Sequence, residues 1–206
     1  PKDFNEDVVK VMEKHRKICR LVHLPVQSGS DSVLKAMNRR YTSAQYLEEI
    51  KMLRFRLPEA EVTTDIIVGF PGETEEDYLA TEELVKKADF ASAFTFVYSP
   101  RTGTKAAAME NQVPEEVQKD RIMRLVELVN SLTRKKSEKY VGTTAEILCE
   151  DYDEKKGLYL GRDEFGRMGY FKSEENLVGQ FVNLKITQAN GISLYGELAD
   201  KNHKEI

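Results

Sequence analysis

Three polar stretches, each closing an apolar run, carry residues of the kind that hold a small charged ligand. Gln27-Ser28-Gly29-Ser30 follows the first run. Thr64-Asp65 leads into Gly69-Phe70-Pro71-Gly72-Glu73-Thr74 in the second, and Tyr98-Ser99-Pro100-Arg101-Thr102-Gly103 closes the third. Glycines let backbone amides approach a phosphate or carboxylate at a helix start, and Arg101 offers a planar fork to the same groups. None of the three is a GxGxxG or P-loop pattern. Each also fits a structural role, since Ser and Gly favour turns and caps. Asp65 is costly if it faces a barrel interior without a partner, and structural if it faces a helix junction.

Metal chemistry finds no support. The two cysteines, Cys19 and Cys149, form no C-x-x-C pair, and His15, His23 and His203 form no H-x-x-x-H pair. Neither a zinc nor an iron–sulfur ligand set is written in the chain. Both cysteines are expected to be buried apolar fillers.

The elements that would position the three stretches alternate in type. Asn5 can cap a helix carrying Val8, Val9 and Met12, and the β-type run Leu21–Val26 follows. A short helix with Val33, Leu34 and Met37 comes next. The pair Thr42 and Gln45 then forms a capping box before a helix that Pro58 stops. Val62–Val68 predicts a strand buried on both faces. Thr74 caps a helix whose acidic first turn, Glu75-Glu76-Asp77, suits the helix dipole, and Phe94–Tyr98 predicts a third strand. Strands joined by helical crossovers imply parallel βαβ units, whose ligands bind at the C-terminal strand ends. The three polar stretches are therefore expected on one rim.

A long helix opening at Pro114 carries Val117, Ile122, Leu125, Val129 and Leu132 on one face. Beyond it the period changes to two, with Ala145, Ile147 and Cys149, then Leu158 and Leu160, then Val182, Leu184 and Ile186, and finally Ile192, Leu194 and Leu198. Short strands with Gly-bearing turns predict a small closed antiparallel β-barrel. The expected fold is α/β plus all-β: a partial (β/α) barrel over residues 1–137 and a small barrel over 138–206.

A closed α/β barrel needs about eight strands, so three imply a missing upstream part. An unpaired sheet edge then predicts self-association or local shielding. Of the 206 residues 40% are hydrophobic and 32% charged, as in soluble globular proteins. No run approaches a membrane span, and Pro1 to Lys10 lack a signal-peptide core, so the cytoplasm is the expected location. Residues 138–206 hold 9 basic and 13 acidic side chains, so overall charge does not favour nucleic acid.

Four blocks carry a resemblance. At His23-Leu24-Pro25-Val26-Gln27-Ser28-Gly29-Ser30, Met37-Asn38-Arg39-Arg40-Tyr41, Thr63 through Thr74 and Ala93 through Thr104, the chain resembles the radical-SAM methylthiotransferases. It is most similar to their tRNA branch, which makes 2-methylthio-N6-isopentenyladenosine. The similarity runs in order through nearly all of the chain.

The resemblance implies a partial radical-SAM barrel followed by a TRAM domain that holds RNA. It implies S-adenosylmethionine and two [4Fe-4S] clusters in the full-length enzyme, whose cysteines lie upstream of the matched blocks and do not occur here. One cluster would cleave S-adenosylmethionine to a radical that takes hydrogen from C2 of the adenosine at position 37 of tRNA, and the second would supply sulfur. Gln27, Ser28, Asp65 and Tyr98 are then the candidate S-adenosylmethionine contacts. Arg39, Arg40 and Arg101 are candidate RNA contacts near the site mouth, and Arg162, Arg167, Tyr170, Phe171 and Lys172 in the β module. The same residues also fit solvated turns and core aromatics. Rival readings are a sibling enzyme acting on threonylcarbamoyladenosine or a ribosomal-protein aspartate, and a non-catalytic RNA-binding unit.

Overall fold

Alternate residues of one strand, Val62, Thr64, Ile66 and Val68, are fully buried and organise the first part of the chain. That strand, β2 (Glu61–Val68), lies between β1 (Leu21–His23) and β3 (Ser92–Val97) in an all-parallel sheet of order β1-β2-β3. The computed structural model describes residues 1–199, so His203 lies outside the described residues. Five helices accompany the sheet: α1 (Glu6–Lys14), α2 (Asp31–Ala36), α3 (Ser43–Arg56), α4 (Glu75–Ala88) and α5 (Glu115–Ser137). Tyr46 and Leu53 of α3, Tyr78 and Val85 of α4 and Leu125 of α5 join the buried row of β2 in one apolar core. Burying each such side chain is worth about 2 kcal/mol.

The helices start where local chemistry places them. The Asn5 side chain accepts from the Asp7 and Val8 amides at 3.0 and 3.2 Å. Thr42 with Gln45, and Thr74 with Asp77, form reciprocal capping boxes. Pro114 stands just outside α5 rather than inside it, and its carbonyl accepts from the Gln118 amide.

The first strand is shorter than its apolar run. Regular pairing stops at His23, because Pro25 has no amide proton to donate. The chain returns to β2 only at Gln27, which bridges Ile66 from a left-handed backbone conformation, φ 73°. Cys149 is buried as expected, whereas Cys19 is exposed, since it falls in the connection between α1 and β1 instead of on an inward strand position.

A second compact unit begins at Thr133, inside α5. It contains β4 (Thr144–Asp153), β5 (Leu158–Arg162), β6 (Met168–Phe171), β7 (Phe181–Asn190) and β8 (Ser193–Leu198), closed in the order β4-β5-β6-β8-β7. Ile147, Cys149, Phe171, Leu184, Ile186 and Leu194 fill its interior. The barrel is not wholly antiparallel, because β6 and β8 run parallel. The long β6–β7 connection carries β7 across to β4, and the tight turn at Gly191 then returns β8 into the gap beside β6. Ile192 lies in that turn and is exposed, so β8 starts one residue later than the apolar pattern suggests.

Candidate ligand face of the parallel sheet

The pleat of β2 sends Thr63, Asp65 and Ile67 to the face opposite the fully buried row. The register sets Asp65 beside Phe94 and Ile67 beside Phe96, and those two rings are 55% and 50% exposed. His23 completes the group from β1. Its Nδ1 is 3.0 Å from the Thr63 hydroxyl, its Nε2 is 3.5 Å from the Asp65 carboxylate, and its ring meets Phe94 edge-on at 6.2 Å. Asp65 therefore takes the sheet-face position and not the helix junction. The face joins a polar cluster of three side chains to an apolar strip of Ile67, Phe94 and Phe96.

Two of the proposed ligand contacts reach the C-terminal rim of this face through their backbone. The Gln27 amide donates to the Asp65 carbonyl, and the Gln27 carbonyl accepts from the Ile67 amide, both at 2.9 Å. Tyr98 follows β3 and donates its amide to Val68. Its hydroxyl is buried without a hydrogen-bond partner, and its ring meets Phe70 edge-on at 5.2 Å. With Val97, Pro100, Gln118 and Ile122 it lines a pocket of about 620 Å³.

Ser28 and Thr64 serve the scaffold. The Ser28 hydroxyl is fully buried 3.3 Å from that of Thr81 on α4 and accepts from the Ser30 amide. Gly29 is pressed so close to α4 that a Cβ would lie 2.4 Å from the Ala80 carbonyl oxygen. The Thr64 hydroxyl accepts from Val26 and donates to Leu24, whose carbonyl also accepts from the Tyr46 hydroxyl.

The loop after β2 is held from two sides. Gly69 and Gly72 both have positive φ, which turns the chain sharply. The buried Glu73 carboxylate accepts from the Gly69 amide at 2.7 Å and from Arg121 of α5 at 2.8 Å. Burial nevertheless pushes the Glu73 carboxyl above its ordinary range, against the pull of the Gly69 amide and Arg121. On the opposite flank Asp77 accepts from Ser30, Ser32 and Thr74. Partial burial works to raise Asp77, but these hydrogen bonds prevail and hold its carboxyl at about 2.

The basic candidates separate into two kinds. Arg39, Arg40, Arg101 and Lys172 are exposed. Arg162 is about half-exposed and paired with Glu150 at 2.8 Å. Arg167 is nearly buried: it pairs with Asp163 at 2.5 Å and lies over the rings of Tyr140 and Phe165 at 4.0 and 4.6 Å. Phe171 is in the barrel core, 1% exposed, so stacking on RNA is closed to it. Its neighbour Tyr170 faces the other way.

His23, Phe94 and Phe96 belong to the sheet face although they were not among the candidate contacts. The signal for them was the period of two, which assigns alternate residues of β2 and β3 to the same side. Among the described residues no group of three or more His, Cys, Asp or Glu side chains could hold a metal ion. The donor set present does not fit a [4Fe-4S] cluster, which takes three or four thiolates where the chain has two cysteines, Cys19 and Cys149. No described helix is long and apolar enough to cross a membrane.

Residues 1–85 match the family model of the radical SAM superfamily, and residues 138–199 match that of the TRAM domain. The chain is 45% identical over 198 residues to a tRNA-2-methylthio-N(6)-dimethylallyladenosine synthase of Caldicellulosiruptor saccharolyticus, covering 96% of this chain and 42% of that protein. It is 47% identical over 199 residues to the protein of the same name from Clostridium beijerinckii, covering 96% and 44%. The chain thus spans less than half the length of these curated relatives. Coproporphyrinogen III oxidase from Escherichia coli, a radical SAM enzyme, shares the fold with a TM-score of 0.55 at 16% identity, over 90% of this chain and 44% of that one.

Proposed function

We propose, from the match of residues 1–85 to the radical SAM superfamily model and of residues 138–199 to the TRAM domain model, that the chain is part of a tRNA-modifying methylthiotransferase. The full-length enzyme adds a methylthio group to C2 of N6-isopentenyladenosine at position 37 of tRNA; the relatives' name, which specifies a 2-methylthio-N(6)-dimethylallyladenosine product in tRNA, supports the reaction and the base. Residues 1–137 form its ligand-binding sheet, and 138–206 its RNA-facing module. The cytoplasm, where tRNA is modified, is its location.

One observation carries the reading: a parallel sheet with helices on one face presents His23, Asp65, Phe94 and Phe96 on the other, next to its C-terminal rim. Such rims are where α/β folds bind ligands. The polar cluster and aromatic strip suit S-adenosylmethionine, a ligand with charged, hydroxyl and aromatic parts. Gln27, Asp65 and Tyr98 would hold it, and Ser28 would fix the turn that sets Gln27. When bound, S-adenosylmethionine supplies the radical and the methyl group; iron–sulfur ligation falls outside these residues. Arg39, Arg40 and Arg101 meet the tRNA beside the rim. The unpaired edges of β1 and β3 also favour self-association when no other strand covers them.

The test uses the full-length protein with reconstituted clusters, and mass spectrometry of nucleosides from tRNA carrying isopentenyladenosine. The expected result is a 2-methylthio product that Asp65→Asn reduces at least about ten-fold through weaker S-adenosylmethionine binding. Product on threonylcarbamoyladenosine or on a ribosomal-protein aspartate, with none on isopentenyladenosine, overturns the substrate. S-adenosylmethionine affinity unchanged in Asp65→Asn overturns the site.

A further inference from the structure

Tyr170 and Tyr195 stand side by side on the outside of the small barrel. They are register partners in the parallel pair β6–β8, with ring centroids 5.1 Å apart and planes inclined by 17°. The interior forces this orientation: a Cβ at the neighbouring Gly169 would meet Ile147 at 2.9 Å and Leu184 at 3.2 Å, so position 169 faces the core and Tyr170 faces out. Leu160 flanks Tyr170 on β5, and Gln188 flanks Tyr195 on β7. The Lys156 ammonium lies 5.3 Å from the Tyr170 ring centre, and Tyr195 is 37% exposed.

Cross-strand packing accounts for the contact between the two rings. It does not account for an outward aromatic pair with one ring more than a third exposed, and the ammonium beside the pair is held by Asp153 at 3.4 Å. We infer that Tyr170 and Tyr195, with Lys156 beside them, form a stacking platform for the bases of single-stranded RNA. This rests on the tRNA reading above and names the part of the module that takes the RNA. Every base has a π face, so stacked aromatics hold single strands without a sequence requirement, and nearby ammonium groups meet the phosphates. Lys156 shares its charge with Asp153, so the exposed Lys172 just after β6 fills that second role. Duplex RNA is held by shape and by broad backbone contact. A segment with 9 basic and 13 acidic side chains lacks the surface for that, so an unpaired loop is the form that fits.

The experiment titrates the whole chain with two fluorescent RNAs, a single-stranded anticodon-loop oligonucleotide and a duplex of equal length, at two salt concentrations. Single-stranded RNA binds more tightly than the duplex. Tyr195→Ala weakens the single-strand affinity about ten-fold, and Tyr195→Phe retains it. Lys172→Ala lowers the salt slope by about one phosphate contact. Thermal unfolding checks that each variant is folded; if Tyr195→Ala is not, Tyr195→Leu, which keeps apolar cover but offers no π face, replaces it with the same expected loss. Equal binding of the duplex, or unchanged affinity in the folded aromatic-to-aliphatic variant, overturns the platform and leaves the tRNA reading standing. If the unchanged chain binds neither these RNAs nor tRNA, the tRNA reading falls and the platform with it.

Discussion

The hydroxyl of Thr64 accepts the amide proton of Val26 at 2.9 Å, standing in for a carbonyl of the strand ladder. The same oxygen donates to the Leu24 carbonyl at 2.9 Å, so one side chain closes the gap that Pro25 opens between β1 and Gln27. The position of Gln27 on the rim depends on this repair.

Replacing Thr64 by valine keeps the volume and removes the hydroxyl. The Val26 amide is then buried without an acceptor, which costs about 1–3 kcal/mol. Urea denaturation of Thr64→Val is expected to show a midpoint lowered accordingly; a midpoint equal to wild type would mean that the segment finds another partner.

Asp77 gives the fold a dependence on acid. Its folded carboxyl sits at about 2 against an ordinary 3.8, so it releases its proton more readily when folded. The stabilisation is fully present above 3.8 and disappears as the pH falls from there towards 2. Asp77→Asn is expected to lose about 1–2 kcal/mol at neutral pH, allowing for solvent screening. The difference between variant and wild type should close when unfolding is repeated near the acid end of that window. A gap that stays constant across it would show that charge is not the cause.

Arg162 and Arg167 lie close in sequence and should respond very unequally to truncation. Arg167→Ala leaves the Asp163 carboxylate, whose side chain is 3% exposed, with two backbone amides and no charge partner, and is expected to destabilise the barrel by about 3 kcal/mol. Arg162→Ala breaks only a surface pair with Glu150 and should cost less than about 1 kcal/mol. Calorimetry separates the two directly, and RNA titration of the stable Arg162→Ala variant should show a reduced salt slope.

Features governed by neighbours in sequence were legible beforehand. Asn5, Thr42 and Thr74 announce their helices because a cap is completed within the next few residues. The period of two announces the barrel strands, and it also contains what was overlooked: Tyr170 and Phe171 cannot both face RNA, since adjacent strand residues point to opposite sides. Other features need the folded chain. The end of β1 is decided by a hydroxyl on β2, and the parallel β6–β8 pairing by the route of a long connection, neither of which leaves a local trace. The radical-SAM segment was legible from the four sequence blocks, and the TRAM segment from the change to a period of two near residue 138 together with the resemblance. The pairing of His23 with Asp65 on the sheet face was not, because those residues meet only through the β1–β2 register.

In the small barrel β7 pairs back to β4. Every strand therefore has a neighbour on each side, and none can peel away while leaving the rest of the ladder intact. Fraying that starts at an outermost strand has no place to begin, so the barrel's amide protons should reach solvent mainly through a single concerted opening.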